Sequence, residues 1–214
     1  MIDPNEFVIS RKRKKYKFAK FANSPLCFEL EEWKQQPADI IEIGAGTSLF
    51  SMELAALNPN KKFVAIDVKA DRLQKGAYEA MERGLTNISF LRVRADQVDQ
   101  CFKAGSVEKI WVTFPDPFPR PRSERRRLTH PLYLALYKEL LVKNGSLLLK
   151  HDSRDFFHWS LEMLVREKWQ IQELSFDLHD SELSNDYKIL TTYETRWLDE
   201  GLVTNFVRAI ATDI

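Results

Sequence analysis

Little in this 214-residue chain points away from a reducing cytosol. It has two cysteines, Cys27 and Cys101, too few and too far apart for a disulfide framework or a zinc site. No run approaches the roughly 18 apolar residues that a membrane-spanning helix needs. Met1-Ile-Asp-Pro-Asn-Glu6 lacks the basic-then-apolar order of a signal peptide. His130, His158 and His179 are scattered without ligand spacing, so no metal site is expected. Low-complexity linkers and internal repeats are also missing, and the length suits one domain. A net charge of +1 argues against indiscriminate attraction to nucleic acid. These absences predict a single-domain, cytoplasmic protein with no membrane and no metal; the oligomeric state stays undetermined.

The charge that is present is segregated. Arg11-Lys-Arg-Lys-Lys15, with Lys17 and Lys20, gives residues 1–20 a basic arm, and Arg120 to Arg127 form a second patch. The acids collect elsewhere, notably between Glu173 and Glu200. A divided field steers a polyanion even when the total is near zero.

The segment Phe114-Pro-Asp-Pro-Phe-Pro-Arg-Pro-Arg-Ser-Glu-Arg-Arg-Arg127 is the most informative. Each proline fixes its own φ and biases the residue before it toward an extended backbone, which predicts a stiff segment that is neither helix nor good strand. Asp116 is set between two prolines and followed by five arginines. Lys109-Ile-Trp-Val-Thr113 before it reads as a buried strand. A rigid acid at a strand end beside guanidinium groups suits a site that handles a polyanion.

Apolar spacing predicts strands at 39–43, 63–66, 88–93, 109–113, 146–150, 170–176 and 205–210, with helices at 48–57, 69–83, 128–142 and 156–167. Alternating strands and helices imply an α/β fold with a mostly parallel, seven-stranded, Rossmann-like sheet flanked by helices over residues 21–214. Trp111, Trp169 and Trp197 are expected in the core. In such sheets ligands bind beyond the carboxyl ends of the strands. Gly44 to Gly46, Asp67, Asp96, Asp116 and Asp152 all fall at or just past such ends.

Glu42-Ile-Gly44-Ala-Gly46-Thr-Ser48 has Leu49 where a dinucleotide fingerprint needs its third glycine. A glycine turn beside a carboxylate instead suits a ligand with an amino-acid tail and an adenosine. Glu42 stands near where an ammonium group would lie. Asp67 is placed to accept both ribose hydroxyl protons, and Asp96 to serve the adenine end. An acid, a glycine turn and two further acids along successive strands is the pattern of class I S-adenosylmethionine (SAM) methyltransferases.

With these residues in view, the chain resembles the bacterial single-subunit tRNA (guanine-N(7)-)-methyltransferase family. The resemblance is carried by Glu42 to Phe50, the Phe114–Arg127 block, His151-Asp152 and Thr191-Thr-Tyr-Glu194, and runs from about residue 9 to the end. It implies a SAM pocket lined by Glu42, Gly44, Gly46, Asp67, Asp96 and Asp116, with Asp116 also catalytic. It implies that Arg120, Asp152, Thr191 and Glu194 hold the target guanosine of a tRNA, and that Arg122, Arg125, Arg126 and Arg127 contact the RNA backbone. The expected reaction forms 7-methylguanosine in the variable loop. Departures from the commonest pattern include Ser48 for glycine, Asp67 for glutamate, Gln97 for alanine, Phe118 for tryptophan, Ser123 for histidine and His151 for threonine; none removes a carboxylate.

Nitrogen 7 of guanine carries a free lone pair, so Asp116 is expected to orient rather than to act as a base. Phe118 suits either stacking on an exposed base or packing, and the arm either adds tRNA contacts or stays disordered until RNA binds. Two alternatives remain on these residues alone: a SAM methyltransferase for a small molecule or protein, and a catalytically inactive RNA-binding protein.

Overall fold

The computed structural model describes residues 1–8 and 12–211, so Arg11 of the basic arm lies outside the described residues. Helix α1 (Lys12–Ala22) leads into a short strand β1 (Cys27–Glu29) and a single-turn helix α2 (Leu30–Trp33). Then follow β2 (Ile40–Ile43), α3 (Leu49–Leu57), β3 (Phe63–Asp67), α4 (Ala70–Glu82), β4 (Ile88–Arg92) and β5 (Val107–Thr113). The chain closes with α5 (Pro131–Leu140), β6 (Leu141–His151), α6 (Arg154–Arg166), β7 (Trp169–Ser175), α7 (Glu194–Trp197) and β8 (Asn205–Ala211). The boundary expected at residue 20 falls within α1, whose Ala19 and Phe21 are buried and whose Lys17 pairs with Asp71 of α4 at 3.1 Å.

The sheet is α/β and mostly parallel, with eight strands in the order β1-β4-β3-β2-β5-β6-β8-β7. The seven expected strands are joined by an eighth, β1, which pairs its three residues with Phe90 to Arg92 of β4. β8 runs antiparallel between β6 and β7. From β2 the chain moves one way to β3 and β4, and then crosses back to β5 and β6. The crevice between β2 and β5 is therefore the topological switch point, where a ligand finds both flanking loops splayed apart.

Alternation along the strands divides the core in two. Ile41, Ile43, Val64, Ile66, Val112 and Leu149 face one layer with α5 and α6, and Ile40, Phe63, Ala65, Phe90, Trp111 and Phe206 face the other with α3 and α4. Glu42 falls on the second face, between Ile41 and Ile43, so period two carries a carboxylate into the core beside α3.

Four local expectations need correction. The helix expected from 128 starts at Pro131, a residue pre-shaped for the first helical position, with the His130 ring accepting the Leu132 N–H. Residues 121–126 form a 3₁₀ helix rather than irregular chain, again opened by a proline. Phe114 and Phe118, each preceding a proline, are not extended; they take φ of 46° and 42°. Such left-handed bulky residues cost of order 1–3 kcal/mol each and persist only where packing over-determines them. Phe114 is held by its N–H to the Lys150 carbonyl at 2.9 Å and by the Tyr193 ring at 5.0 Å. Trp197 is also not core: it is 41% exposed, whereas Trp111 and Trp169 are buried.

Candidate functional site

Two cavities open along the carboxyl edge of the sheet and share Gly44, Arg72, Phe114, Pro115 and Asp116. The larger, about 620 Å³, reaches from the glycine turn to Asp152 and Thr191. The smaller, about 310 Å³, lies between Asp67, Asp96, Phe118 and Tyr133.

Glu42 is at the floor of the larger cavity, 2% exposed. Its oxygens accept hydrogen bonds from the Ser51 and Thr113 hydroxyls, each at 2.5 Å. Thr113 is in reach because β2 and β5 are paired neighbours. Burial pushes the Glu42 carboxyl up to about 7, against the pull of the two hydroxyls and the nearby Lys150 charge.

The turn after β2 is built by backbone geometry. Gly44, Gly46 and Ser48 have φ of 81°, 59° and 62°, so the turn alternates through left-handed positions. Asp67 pins it by accepting the Gly46 N–H at 2.9 Å and, with its other oxygen, the Lys69 N–H at 2.8 Å. Each Asp67 oxygen keeps a lone pair for a further donor. Ser48 turns inward, its β-carbon against Gly76 of α4; a side chain on Gly76 would meet the Thr47 carbonyl at 2.6 Å.

Asp96 stands at the rim of the smaller cavity in a bidentate pair with Arg94, at 2.9 and 2.8 Å. The Arg94 hydrogen bonds hold its carboxyl below the usual range. Asp116 lies on the wall common to both cavities, is exposed, and accepts no hydrogen bond from any described residue.

On the far side of the larger cavity, Asp152 accepts the Tyr193 hydroxyl at 2.9 Å. Thr191 lines the cavity, and its hydroxyl accepts the Glu194 N–H at 3.0 Å. Glu194 stands behind that wall, 0% exposed, and presents no edge to the cavity. Lys150 Nζ and the Thr191 N–H reach one oxygen at 2.9 and 2.8 Å, and His179 and Thr204 reach the other at 3.0 and 3.2 Å. Burial alone would raise its pKa, but the His179 hydrogen bond and the Lys150 charge override this and hold Glu194 ionised, below the ordinary glutamate range.

The arginines divide. Arg120, Arg122 and Arg125 are exposed, and Arg126 lays its guanidinium over the Phe118 ring at 4.4 Å beside the smaller cavity. Arg127 turns inward: it donates to the Pro117 and Phe118 carbonyls at 3.0 and 3.2 Å and stacks on Trp159 at 4.3 Å. In this structure it braces the loop.

Sequence reasoning did not single out Arg72, Lys75 and Arg196, which line the larger cavity and make no ion pair with any described residue. Arg72 and Lys75 lie five and eight residues after Asp67, in the first two turns of α4, where the strand-end rule that found Asp67 does not reach. Thr47 and Thr192, whose hydroxyls meet at 2.7 Å, link the glycine turn to the 191–194 segment across the cavity.

This fold and this arrangement define a class I SAM-dependent methyltransferase. A family model described as a putative methyltransferase matches residues 36–205. The tRNA (guanine-N(7)-)-methyltransferase of Cytophaga hutchinsonii is 35% identical over 181 residues, covering 83% of this chain and 82% of that protein. The enzyme of the same name from Mesomycoplasma hyopneumoniae is 38% identical over 179 residues, covering 83% and 88%. The chain belongs to the tRNA (guanine-N(7)-)-methyltransferase family. Among solved structures, the 16S rRNA methyltransferase KamB superposes with a TM-score of 0.61 at 16% identity, covering 85% of this chain and 92% of that one, which is a likeness of fold. No helix among the described residues is long and apolar enough to cross a membrane.

Proposed function

We propose that this chain transfers a methyl group from SAM to nitrogen 7 of a guanosine in the variable loop of tRNA, forming 7-methylguanosine. The observation that carries the reading is Asp116, an unpartnered carboxylate on the wall between two cavities at the switch point of the sheet. One cavity suits a nucleoside and the other is rimmed by unpaired cations.

The residues present fit the cofactor. Ile43, Ile66, Val68 and Val93 give the smaller cavity apolar walls, and Asp67 and Asp96 supply acceptors at its edge, as an adenosine requires. The glycine turn lets a ligand approach its backbone closely, and Glu42 offers a carboxylate to an ammonium group. SAM, when bound, supplies a methyl group on a cationic sulfur that the nitrogen 7 lone pair can accept without prior loss of a proton.

The work left to the protein is alignment and electrostatics. Holding two reactants in line is worth effective molarities of roughly 10⁵ M or more. Asp116 orients both partners and faces the positive charge that develops on the purine. Asp152 takes the donor edge of guanine, which adenine lacks, and a buried acceptor left unpaired rejects the wrong base. Thr191 supports that contact through its hydroxyl, with the exposed Tyr193 ring as a stacking surface. Glu194 enters as the anchor of this segment rather than as a base contact. Arg120, Arg122, Arg125 and Arg126 on one side, and Lys75 and Arg196 on the other, hold phosphates on either side of the inserted nucleotide.

The test is incubation with isotope-labelled SAM and unmodified tRNA, followed by digestion and identification of the labelled nucleoside. Label in 7-methylguanosine is expected. Label in another nucleoside overturns the guanine-edge argument, and label only in small molecules or protein overturns the RNA reading.

A further inference from the structure

We infer that His151 is a positioning residue for methyl transfer: its ring ties the Pro115–Pro117 loop that carries Asp116 to the end of β6 that carries Asp152. The inference rests on the functional reading above and adds a role for a side chain that the reading does not use.

His151 ends β6 and is 3% exposed, with its ring against Phe156 at 4.4 Å and Phe114 at 6.1 Å. Its two nitrogens face opposite partners. The Ser153 backbone N–H points at Nδ1 from 2.8 Å. An amide N–H always carries its proton, so Nδ1 accepts, and the proton of the neutral ring resides on Nε2. Nε2 is 2.9 Å from the Pro115 carbonyl and donates to it. The Asp152 carboxylate lies on the Nδ1 side at 3.2 Å, with the Tyr193 hydroxyl on its other oxygen.

The loop needs such a strut. Pro115 and Pro117 have no N–H, so a sheet ladder cannot pin the backbone on either side of Asp116. What holds it instead is the Phe114 N–H to Lys150, His151 at the Pro115 carbonyl, and Arg127 at the carbonyls of Pro117 and Phe118. Asp116, free of partners itself, is bracketed by one side-chain donor before it and one after it.

Two isosteric variants separate the contacts. In His151→Gln the amide nitrogen takes the place of Nε2 and keeps the donor to Pro115. In His151→Asn the amide stays near Nδ1 and the contact to Pro115 is lost. With tRNA and SAM, His151→Asn is expected to lower kcat about 10-fold or more, with the KM for tRNA and the Kd for SAM within about threefold of wild type, while His151→Gln keeps kcat within about threefold. Equal kcat for the two variants, or a loss confined to KM or to SAM affinity, overturns the role. A second measurement needs no variant to fold. The imidazole nitrogen shifts of wild-type His151 are expected to show a protonated Nε2 and a bare Nδ1, and the opposite tautomer overturns the strut. Absence of any methyl transfer to tRNA by the wild-type protein would overturn the functional reading instead, and the tautomer would still decide the strut.

Discussion

The carboxylates at the ends of β2, β3 and β4 are held by the protein, whereas no described residue holds the carboxylate beyond β5. Glu42 has two hydroxyls, Asp67 two backbone amides and Asp96 an arginine. Asp116 has no partner among the described residues. The half proposed to hold the cofactor is thus braced by the protein's own contacts, and its acids offer spare lone pairs to a ligand. In the half proposed to hold the target the backbone is fixed instead, by prolines and side-chain struts, and the Asp116 carboxylate is left open. Preorganisation of charge on one side and of chain on the other is what a reaction limited by alignment requires.

The largest expected effect lies behind the target half. Glu194→Ala strands Lys150, fully buried with it at 2.9 Å, and removing one member of such a pair costs about 3–5 kcal/mol. Denaturant melts should show that loss, and an unchanged midpoint would mean that the 191–194 segment is held in another way. Next come the rim cations. Lys75→Glu and Arg196→Glu should each weaken tRNA binding about 10-fold and lower the salt slope by about one phosphate contact, with SAM affinity unchanged. A slope equal to wild type would remove that rim from the RNA path.

Glu42 sharpens the comparison through pH. Its folded value is raised, so the stability it contributes is fully present below the ordinary glutamate range and is lost as pH rises through about 7. A cationic ligand favours the ionised form, so the affinity for SAM should rise across the same interval. Calorimetry at pH 6 and 8 should find weaker binding at the lower value, and Glu42→Gln should flatten the difference. The smallest effect is expected at Asp96. Its pair with Arg94 is exposed, so Asp96→Asn should change stability by less than about 0.5 kcal/mol. Its SAM affinity should drop severalfold, and equal affinity would detach the β4 end from the cofactor half.

The strand ends could be read from the sequence because buried parallel strands are short apolar runs and the residues after them are glycines and acids. β1 escaped because three residues, Cys27 to Glu29, are too few for a period to declare itself. The left-handed Phe114 and Phe118 escaped because the preference of a residue before proline is local, and the His151 and Tyr193 rings at Phe114 and the Arg126 guanidinium at Phe118 override it through tertiary contact. Glu194 read as a base contact because its burial depends on Lys150, a charge at the end of an apolar strand whose partner lies 44 residues away. Arg127 read as an RNA contact for a similar reason: Trp159, which draws it inward, belongs to another helix.

The central claim is that Asp116 aligns donor and target without removing a proton. Single-turnover methyl transfer at saturating SAM and tRNA, wild type against Asp116→Asn, tests it most directly. A rate lower by about 100-fold is expected for Asp116→Asn, with no new pH dependence and SAM still bound. A rate within about twofold of wild type would contradict it, because among the described residues Asp116 alone puts a carboxylate on the wall between the two cavities.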